Sequence, residues 1–345
     1  MKRILQDLSL KELEEYIISK NQPKFRAKQI FEGITLGKSI QEMSNIGATL
    51  KEILQEDFEE TTLTIFLKKE SQQDETQKFL YKLSDGNIIE GVLMKYKYGY
   101  TLCVSTQVGC RMGCKFCAST LNGLIRNLTS GEILSQVLAV NRMLGGTIKN
   151  RKITNVVLMG SGEPLDNYDN VIKFLKLVSS SDGLGISPRN ISLSTCGIVE
   201  KIKALADENI DITLTISLHA SNDETRRQTM PIANKYTIKE VVDAARYYFN
   251  KTGRRVIFEY ALIKGVNDKN IFANELASIL KGFPTHINLI PLNPVKERNL
   301  NSTSRKFAYQ FCEMLNQLNV SATVRRTMGE DIDGACGQLR NNYLD

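Results

Sequence analysis

From residue 100 onwards the chain alternates short, β-branched apolar runs with amphipathic stretches, and this alternation limits the fold more than any other feature. The runs are TLCVST (101–106), ITNVVLMG (153–160), ISLST (191–195), ITLTISLH (212–219), VIFEYALI (256–263) and INLIPLN (287–293). Between them lie GEILSQVLAVNRML, NVIKFLKLVSS, IVEKIKALADEN, IKEVVDAARYYFN and NIFANELASILKG, whose apolar residues recur at helical spacing. Strands separated by helices pair in parallel, because a parallel neighbour is reached only through a crossover. The expected class is α/β. Six such units suit an incomplete β/α barrel or an open doubly wound sheet, and periodicity does not choose between them. In both, ligands gather at the C-terminal ends of the strands. A last helix (RKFAYQFCEMLNQL) and strand (VSATVRR) precede a tail rich in Gly and Cys.

The first 60 residues carry a helical pattern in LKELEEYIISK, FRAKQIFEGI and TLKEILQEDF, and residues 62–95 switch to strand-like TLTIFLKK, QKFLYKLSD and NIIEGVLMKYK around an Asp85-Gly86 turn. We therefore expect a small helical/β accessory domain over 1–95, a core over 96–330 and a C-terminal segment over 331–345. A chain of 345 residues, 42% hydrophobic, is long enough for such a core and appendage. No apolar run approaches the length of a membrane helix, and MKRILQDLSLKELEEY turns acidic too early for a secretory signal. The expected address is the cytoplasm, with no membrane partner. Of the net charge of +7, residues 1–95 hold 14 Lys+Arg against 16 Asp+Glu, leaving 31 against 22 for the remainder. The basic excess travels with the core, and such a field favours polyanions.

Seven cysteines cannot all pair, and Cys110, Cys114 and Cys117 fall within eight residues, which points to a reducing compartment and a metal centre. The loop follows directly on the first strand of the repeat, at the active end of the sheet. Three thiolates leave one iron of a four-iron cluster open to an exogenous ligand. Zinc normally takes four ligands, and the only histidines are His219 and His286. Cys103, Cys196 or Cys336 could complete a zinc site, so that alternative stays open. Cys312 shares a helix face with Phe307, Ala308 and Phe311 and reads as packing.

Cys-x3-Cys-x2-Cys with Phe116 before the last cysteine resembles the cluster loop of the radical S-adenosylmethionine (SAM) superfamily. Met159-Gly160-Ser161-Gly162-Glu163-Pro164 is similar to its GEP element, where glycines admit close backbone approach and Glu163 can accept from an ammonium. The resemblance implies an incomplete (βα)6 radical-SAM barrel holding a 4Fe-4S cluster whose open iron chelates SAM. Reductive cleavage of SAM then gives a 5′-deoxyadenosyl radical. Gly162, Glu163, Ser194, Ser217, Leu218, His219 and Asn293, at or beside strand ends, are the implied SAM contacts.

A narrower signature pairs Thr101-Leu102-Cys103-Val104-Ser105-Thr106-Gln107-Val108-Gly109-Cys110 with Asp331-Ile332-Asp333-Gly334-Ala335-Cys336-Gly337-Gln338-Leu339-Arg340. Together they resemble the RlmN family, which methylates C2 of adenine in 23S rRNA and in certain tRNAs. The likeness runs from about residue 20 to the C-terminus. It implies two SAM per turnover. Cys336, in the C-terminal catalytic-cysteine loop, takes a methyl from the first SAM. The radical from the second abstracts hydrogen from that methyl, and the methylene radical adds to adenine. Glu90 accepts a proton, and Cys103 closes a disulfide with Cys336 as product leaves. Implied partners are 23S rRNA, tRNA and a reducing electron donor such as flavodoxin. Gly334, where alanine is usual, and Ser221, where proline is common, depart from the family pattern. The sister Cfr family methylates C8 with the same cysteines, but Cys117-Ala118-Ser119-Thr120-Leu121-Asn122-Gly123 and Ile290-Pro291-Leu292-Asn293-Pro294 look more like the C2 family. Rival readings are a radical SAM activase acting on a protein and a zinc-stabilised RNA-binding module. Candidate RNA contacts are Lys20 to Lys28, Arg226-Arg227 and Arg325-Arg326.

Overall fold

The computed structural model describes residues 3–60, 63–293, 295, 297–326, 328–332, 339–340 and 343. Cys336 lies outside the described residues. The central sheet begins with antiparallel strands β3 (Thr64–Glu70), β4 (Gln77–Lys82) and β5 (Ile88–Tyr96), which follow a two-residue parallel pair, β1 (Arg3–Ile4) with β2 (Phe58–Glu59). β6 (Gly99–Cys103) pairs antiparallel with β5 and parallel with β9 (Ile153–Leu158); β7 (Gln107–Gly109) and β8 (Leu124–Asn127) form a separate hairpin. From β9 the ladder continues in parallel through β10 (Ile191–Thr195), β11 (Thr213–Ser217), β12 (Val256–Leu262), β13 (Thr285–Pro291) and β14 (Ala322–Val324).

This order settles what periodicity left open. The parallel strands lie side by side in chain order from β6 to β14, whereas a doubly wound sheet reverses its order at a switch point. Winding in one direction is the barrel pattern. The barrel stays incomplete because the outer side of β6 is taken by β5, so the ten strands end at β3 and β14 instead of meeting. The three strands at 64–96 therefore extend the same sheet as the core.

Helices α4 (Ser130–Met143), α5 (Tyr168–Ser179), α6 (Val199–Asp207), α7 (Asp223–Thr229), α8 (Ile238–Thr252), α9 (Asn270–Ile279) and α10 (Arg305–Gln317) connect the parallel strands. Their sequences dictate where they start and what they bury. Thr129 with Glu132 opens α4, and Thr237 with Glu240 opens α8, each as a reciprocal capping box. α8 buries Ile238, Val241, Val242, Ala245 and Tyr248 and stops at Gly253, which sits at φ 65°. The preceding α1 (Leu10–Ser19), α2 (Phe25–Thr35) and α3 (Ala48–Asp57) contribute Leu13, Ile17, Ile30 and Leu54 to the hydrophobic core that also holds Val156, Leu193 and Phe258 of the sheet. Asp7 accepts from Ser130 Oγ at 2.6 Å and from the Gly131 amide, so an acidic side chain docks on the α4 N-terminus. Among the described residues no helix is long and apolar enough to cross a membrane.

The β7–β8 hairpin has no strong periodic signal, being too short, and it frames the cysteine loop. Gly109 adopts φ +78°, and a Cβ there would stand 2.0 Å from the Gly123 carbonyl oxygen. Arg126 ties the hairpin down with two bonds of 2.8 Å to Glu132, and it also reaches Asp85 at 2.6 Å. Glu132 thus serves both the α4 cap and the hairpin. Glu132→Ala is expected to lower unfolding stability by about 2 kcal/mol, more than the ~1 kcal/mol of a lost cap alone. Urea denaturation of Glu132→Ala beside Thr129→Ala tests this; equal losses would show that the arginine bond adds nothing.

Candidate active site

The cysteine loop is shaped by backbone hydrogen bonds. The Cys110 amide donates to Gly123 O at 2.9 Å and the Cys117 amide to Cys114 O at 3.1 Å, while Thr120 Oγ1 donates to the carbonyls of Cys114 (3.1 Å) and Cys117 (2.9 Å). Cys110, Cys114 and Cys117 consequently line one cavity of about 330 Å³. Burial pushes the Cys110 thiol up to about 12 and the Cys114 thiol higher still, so a metal must displace their protons. Among the described residues no three Cys, His, Asp or Glu side chains gather as a single ion needs. A cubane takes each thiolate on a different iron and requires no common point. Three thiolates lining one cavity fit a 4Fe-4S cluster, with the rest of the cavity open to a ligand of the fourth iron.

The opposite wall comes from the strand ends. Gly162 sits at φ +108°, and a Cβ there would meet Gln107 at 2.6 Å, so only glycine lets the β9 loop lie against β7. The Glu163 carboxylate accepts from the Cys196 amide at 2.8 Å and the Leu165 amide at 3.0 Å. Burial raises its pKa. Both carboxylate oxygens thus clasp the β9 and β10 loops from the cavity wall. Ser194 and Ser217 face the same cavity, joined by Glu259: Ser194 Oγ donates to Glu259 Oε2 at 3.1 Å and Ser217 Oγ reaches it at 3.5 Å. Arg325 Nη1 approaches the other oxygen at 3.4 Å. Asn293 is exposed at the rim. Leu218 is buried, and its carbonyl accepts from Arg226.

His219 adopts φ +55° and is buried, with its Nδ1 accepting the Ala261 amide at 2.9 Å. That fixes the neutral tautomer with hydrogen on Nε2. Burial, and then the Arg226 charge, push its pKa down to about 3. Its ring meets Phe116 edge-on at 4.7 Å.

Cys103 reaches the cavity from the end of β6, among Val92, Met94 and Met328. Glu90 lies on the same face of β5 as Val92 and Met94. It is 2% exposed rather than a surface strand residue, with Lys78 Nζ at 3.4 Å and the Arg340 amide donating to it at 3.2 Å. Arg340 Nε also donates to Ile88 O at 2.7 Å. On the near side of the undescribed stretch 333–338, Asp331 accepts from Ser71 Oγ (2.7 Å) and the Gln72 amide (2.9 Å), and Asp74 accepts from the Gly329 amide (2.9 Å). The residues flanking Cys336 are therefore fastened to β5 and to the β3–β4 loop.

Three site residues escaped the sequence reading. Glu259 had a signal, a lone carboxylate inside the apolar run VIFEYALI. Lys78 had one too, in QKFLYK. Arg226 was read as an RNA contact, and the structure corrects this: it is completely buried and cannot meet a phosphate.

Residues 104–273 match the radical SAM superfamily, and residues 4–59 match the ribosomal RNA large subunit methyltransferase N-terminal domain. A probable dual-specificity RNA methyltransferase RlmN of Clostridium novyi is 55% identical, covering 100% of this chain and 99% of that protein. The chain belongs to the RlmN family. A second relative of that name, from Clostridium botulinum strain Hall, is 53% identical with the same coverage. The crystal structure of a radical SAM methyltransferase from Sphaerobacter thermophilus superposes with a TM-score of 0.92 at 41% identity, covering 97% of this chain and 98% of that one. RlmN-family membership makes the chain a radical SAM methyltransferase, and the superfamily implies the 4Fe-4S cluster and SAM that the cavity fits.

A neutral, buried His219 has a consequence for stability. An unfolded histidine titrates near 6.5, so between about 3 and 6.5 the unfolded chain binds the extra proton and stability falls as pH drops. His219→Asn keeps an acceptor near the Nδ1 position and tolerates positive φ but does not titrate. Urea unfolding at pH 7 and pH 5 is expected to show a steeper acid loss in the unsubstituted protein, by up to about 1.4 kcal/mol per pH unit. Equal slopes would contradict the neutral assignment.

Proposed function

We propose that this chain methylates C2 of adenine in RNA, in 23S rRNA and beside the anticodon of tRNA, using two SAM molecules per turnover. The observation that carries the reading is one cavity shared by the cluster cysteines, the Ser194–Ser217–Glu259 group and Cys103. The names of the RlmN relatives, and the ribosomal RNA methyltransferase match at 4–59, support an RNA substrate and the C2 family over a C8 enzyme.

When bound, the cluster supplies the electron that splits SAM, drawn from a reducing donor such as flavodoxin. Cys110, Cys114 and Cys117 hold it. Gly162, Glu163, Ser194, Ser217, Leu218, His219 and Asn293 form the SAM-binding rim, the first two and Leu218 through backbone placement. Cys336 carries the methyl group. Glu90 takes up the proton lost from adenine, with Lys78 fixing its carboxylate. Cys103 attacks Cys336 sulfur to release product. Residues 1–95 act as an RNA-facing unit beside the catalytic core of 96–330, presenting Phe25, 57% exposed, with the Arg26 guanidinium stacked 4.9 Å from its ring. The segment 331–345 brings Cys336.

Mass mapping of the methylated nucleoside tests the reaction: 2-methyladenosine is expected, and 8-methyladenosine would transfer the chain to the Cfr chemistry. The two cysteines are expected to fail differently. Cys336→Ala has no methyl carrier and forms no bond to RNA. Cys103→Ala stalls as a covalent protein–RNA adduct, visible on a denaturing gel as a ribonuclease-sensitive shift. Full turnover by Cys103→Ala would remove it from the scheme. Glu259→Gln is expected to weaken SAM binding about tenfold, or ~1.4 kcal/mol, by equilibrium dialysis. Unchanged affinity would make Glu259 a strand-end brace only.

A further inference from the structure

We propose that Arg226 is a positioning residue for the iron-sulfur cluster: its guanidinium, fixed behind the cysteine loop, is the cluster's buried counter-charge and sets its reduction potential. The proposal rests on the cluster assignment made above and goes beyond it by naming what tunes the cluster.

Arg226 projects from α7 and is 0% exposed. A guanidinium does not lose its proton in a protein, so the interior holds a permanent cation, which is costly unless an anion faces it. Among the described residues no carboxylate hydrogen-bonds or ion-pairs with it, and Asp223, three residues earlier on α7, acts on it only as a lesser charge. Nε donates to Leu218 O at 3.2 Å, and Nη2 donates to Cys196 O at 2.7 Å and to Ser217 O at 3.4 Å. All three acceptors are neutral carbonyls. Nη1 is buried with no hydrogen-bond partner among the described residues. Clasping the ends of β10 and β11 therefore explains two of the nitrogens and leaves a charge and one donor unexplained.

The neighbourhood supplies the missing partner. The Thr229 carbonyl, at the end of α7, accepts the Lys115 amide of the cysteine loop at 2.8 Å. Met230 packs with Cys114 and Cys196. Cys196, whose carbonyl Arg226 Nη2 holds at 2.7 Å, belongs to that same packed group, so the guanidinium stands directly behind Cys114. A cluster ligated by three thiolates is anionic and gains a further negative charge on reduction. A fixed cation beside it favours the reduced state over the oxidised one, and net charge and hydrogen bonding are among the protein's main controls of cluster potential. The same cation, acting on His219, helps to keep that ring neutral.

The test is a potentiometric titration of the reconstituted holoenzyme without RNA, followed by electron paramagnetic resonance, with iron content and melting temperature measured in parallel. Arg226→Met and Arg226→Gln are expected to move the midpoint to more negative potential. The reduced fraction at a fixed poise should fall at least tenfold, equivalent to about 59 mV for a one-electron couple. Arg226→Lys, which keeps the charge and loses the fork, is expected to stay closer to the unsubstituted value while melting earlier. A purely structural clasp predicts lower melting temperatures in all three and no change in potential, and that result overturns the proposal. If the neutral variants fold by circular dichroism but lose iron while Arg226→Lys retains it, the charge requirement is supported. If Arg226→Lys loses iron equally, the fork alone matters and the proposal falls. A colourless, iron-free unsubstituted protein would instead refute the cluster assignment beneath it.

Discussion

Ser217 lies opposite Glu259 in the parallel ladder, and the register that pairs them also brings Ser194 to within 3.1 Å of the same carboxylate. In the central sheet, β6 and β9 through β14 all run the same way, so each delivers its C-terminal residues to one rim. Cys103, Ser194, Ser217 and Asn293 come from stretches far apart in sequence and meet because crossovers return the chain to the same starting side each time. Shifting one strand by a single residue would turn its rim side chain away from the cavity. The chemistry is thus inherited from strand register, and the loops decorate it.

Against that background, the rim was largely legible in the sequence because strand ends are marked where an apolar run stops. Spacing marked Cys110, Cys114 and Cys117 as one group, and the structure lines a single cavity with them. The parallel class followed from alternation, but barrel and doubly wound sheet have the same alternation and differ only in strand order, which is a long-range property. The β7–β8 hairpin was missed because three- and four-residue strands carry too little periodicity, although Gly109 and Gly123 mark the inner ends of its two strands. Glu259 and Lys78 are charges inside apolar strands, a pattern that marks a partner across the fold without saying which. Arg226 misled because an Arg-Arg pair on a polar helix looks like surface; only Arg227 remains a candidate for the solvent side.

Buried charge is concentrated around the cavity. Lys78 with Glu90 and Glu163 with two amides are satisfied within the protein. Pairs of this kind contribute little net stability compared with apolar substitutes, yet breaking one leaves a desolvated ion. Their value is geometric. Glu163 holds the β9 and β10 loops at a fixed separation, and Glu90 joins β5 to the Arg340 backbone, so both carboxylates fix the distance between parts of the site that belong to different segments.

The clasps on either side of residues 333–338 join positions far apart in sequence: Ser71 to Asp331 and Glu90 to Arg340 span 260 and 250 residues. During synthesis the β3–β4 loop and β5 emerge long before their partners. The cysteine loop and most of the parallel strands have the intervening translation time in which to form, and Asp331 and Arg340 dock on the β3–β4 loop and β5 afterwards. Pairings this distant in sequence form at the slow end of folding, so the two clasps complete a sheet whose other strands are already available.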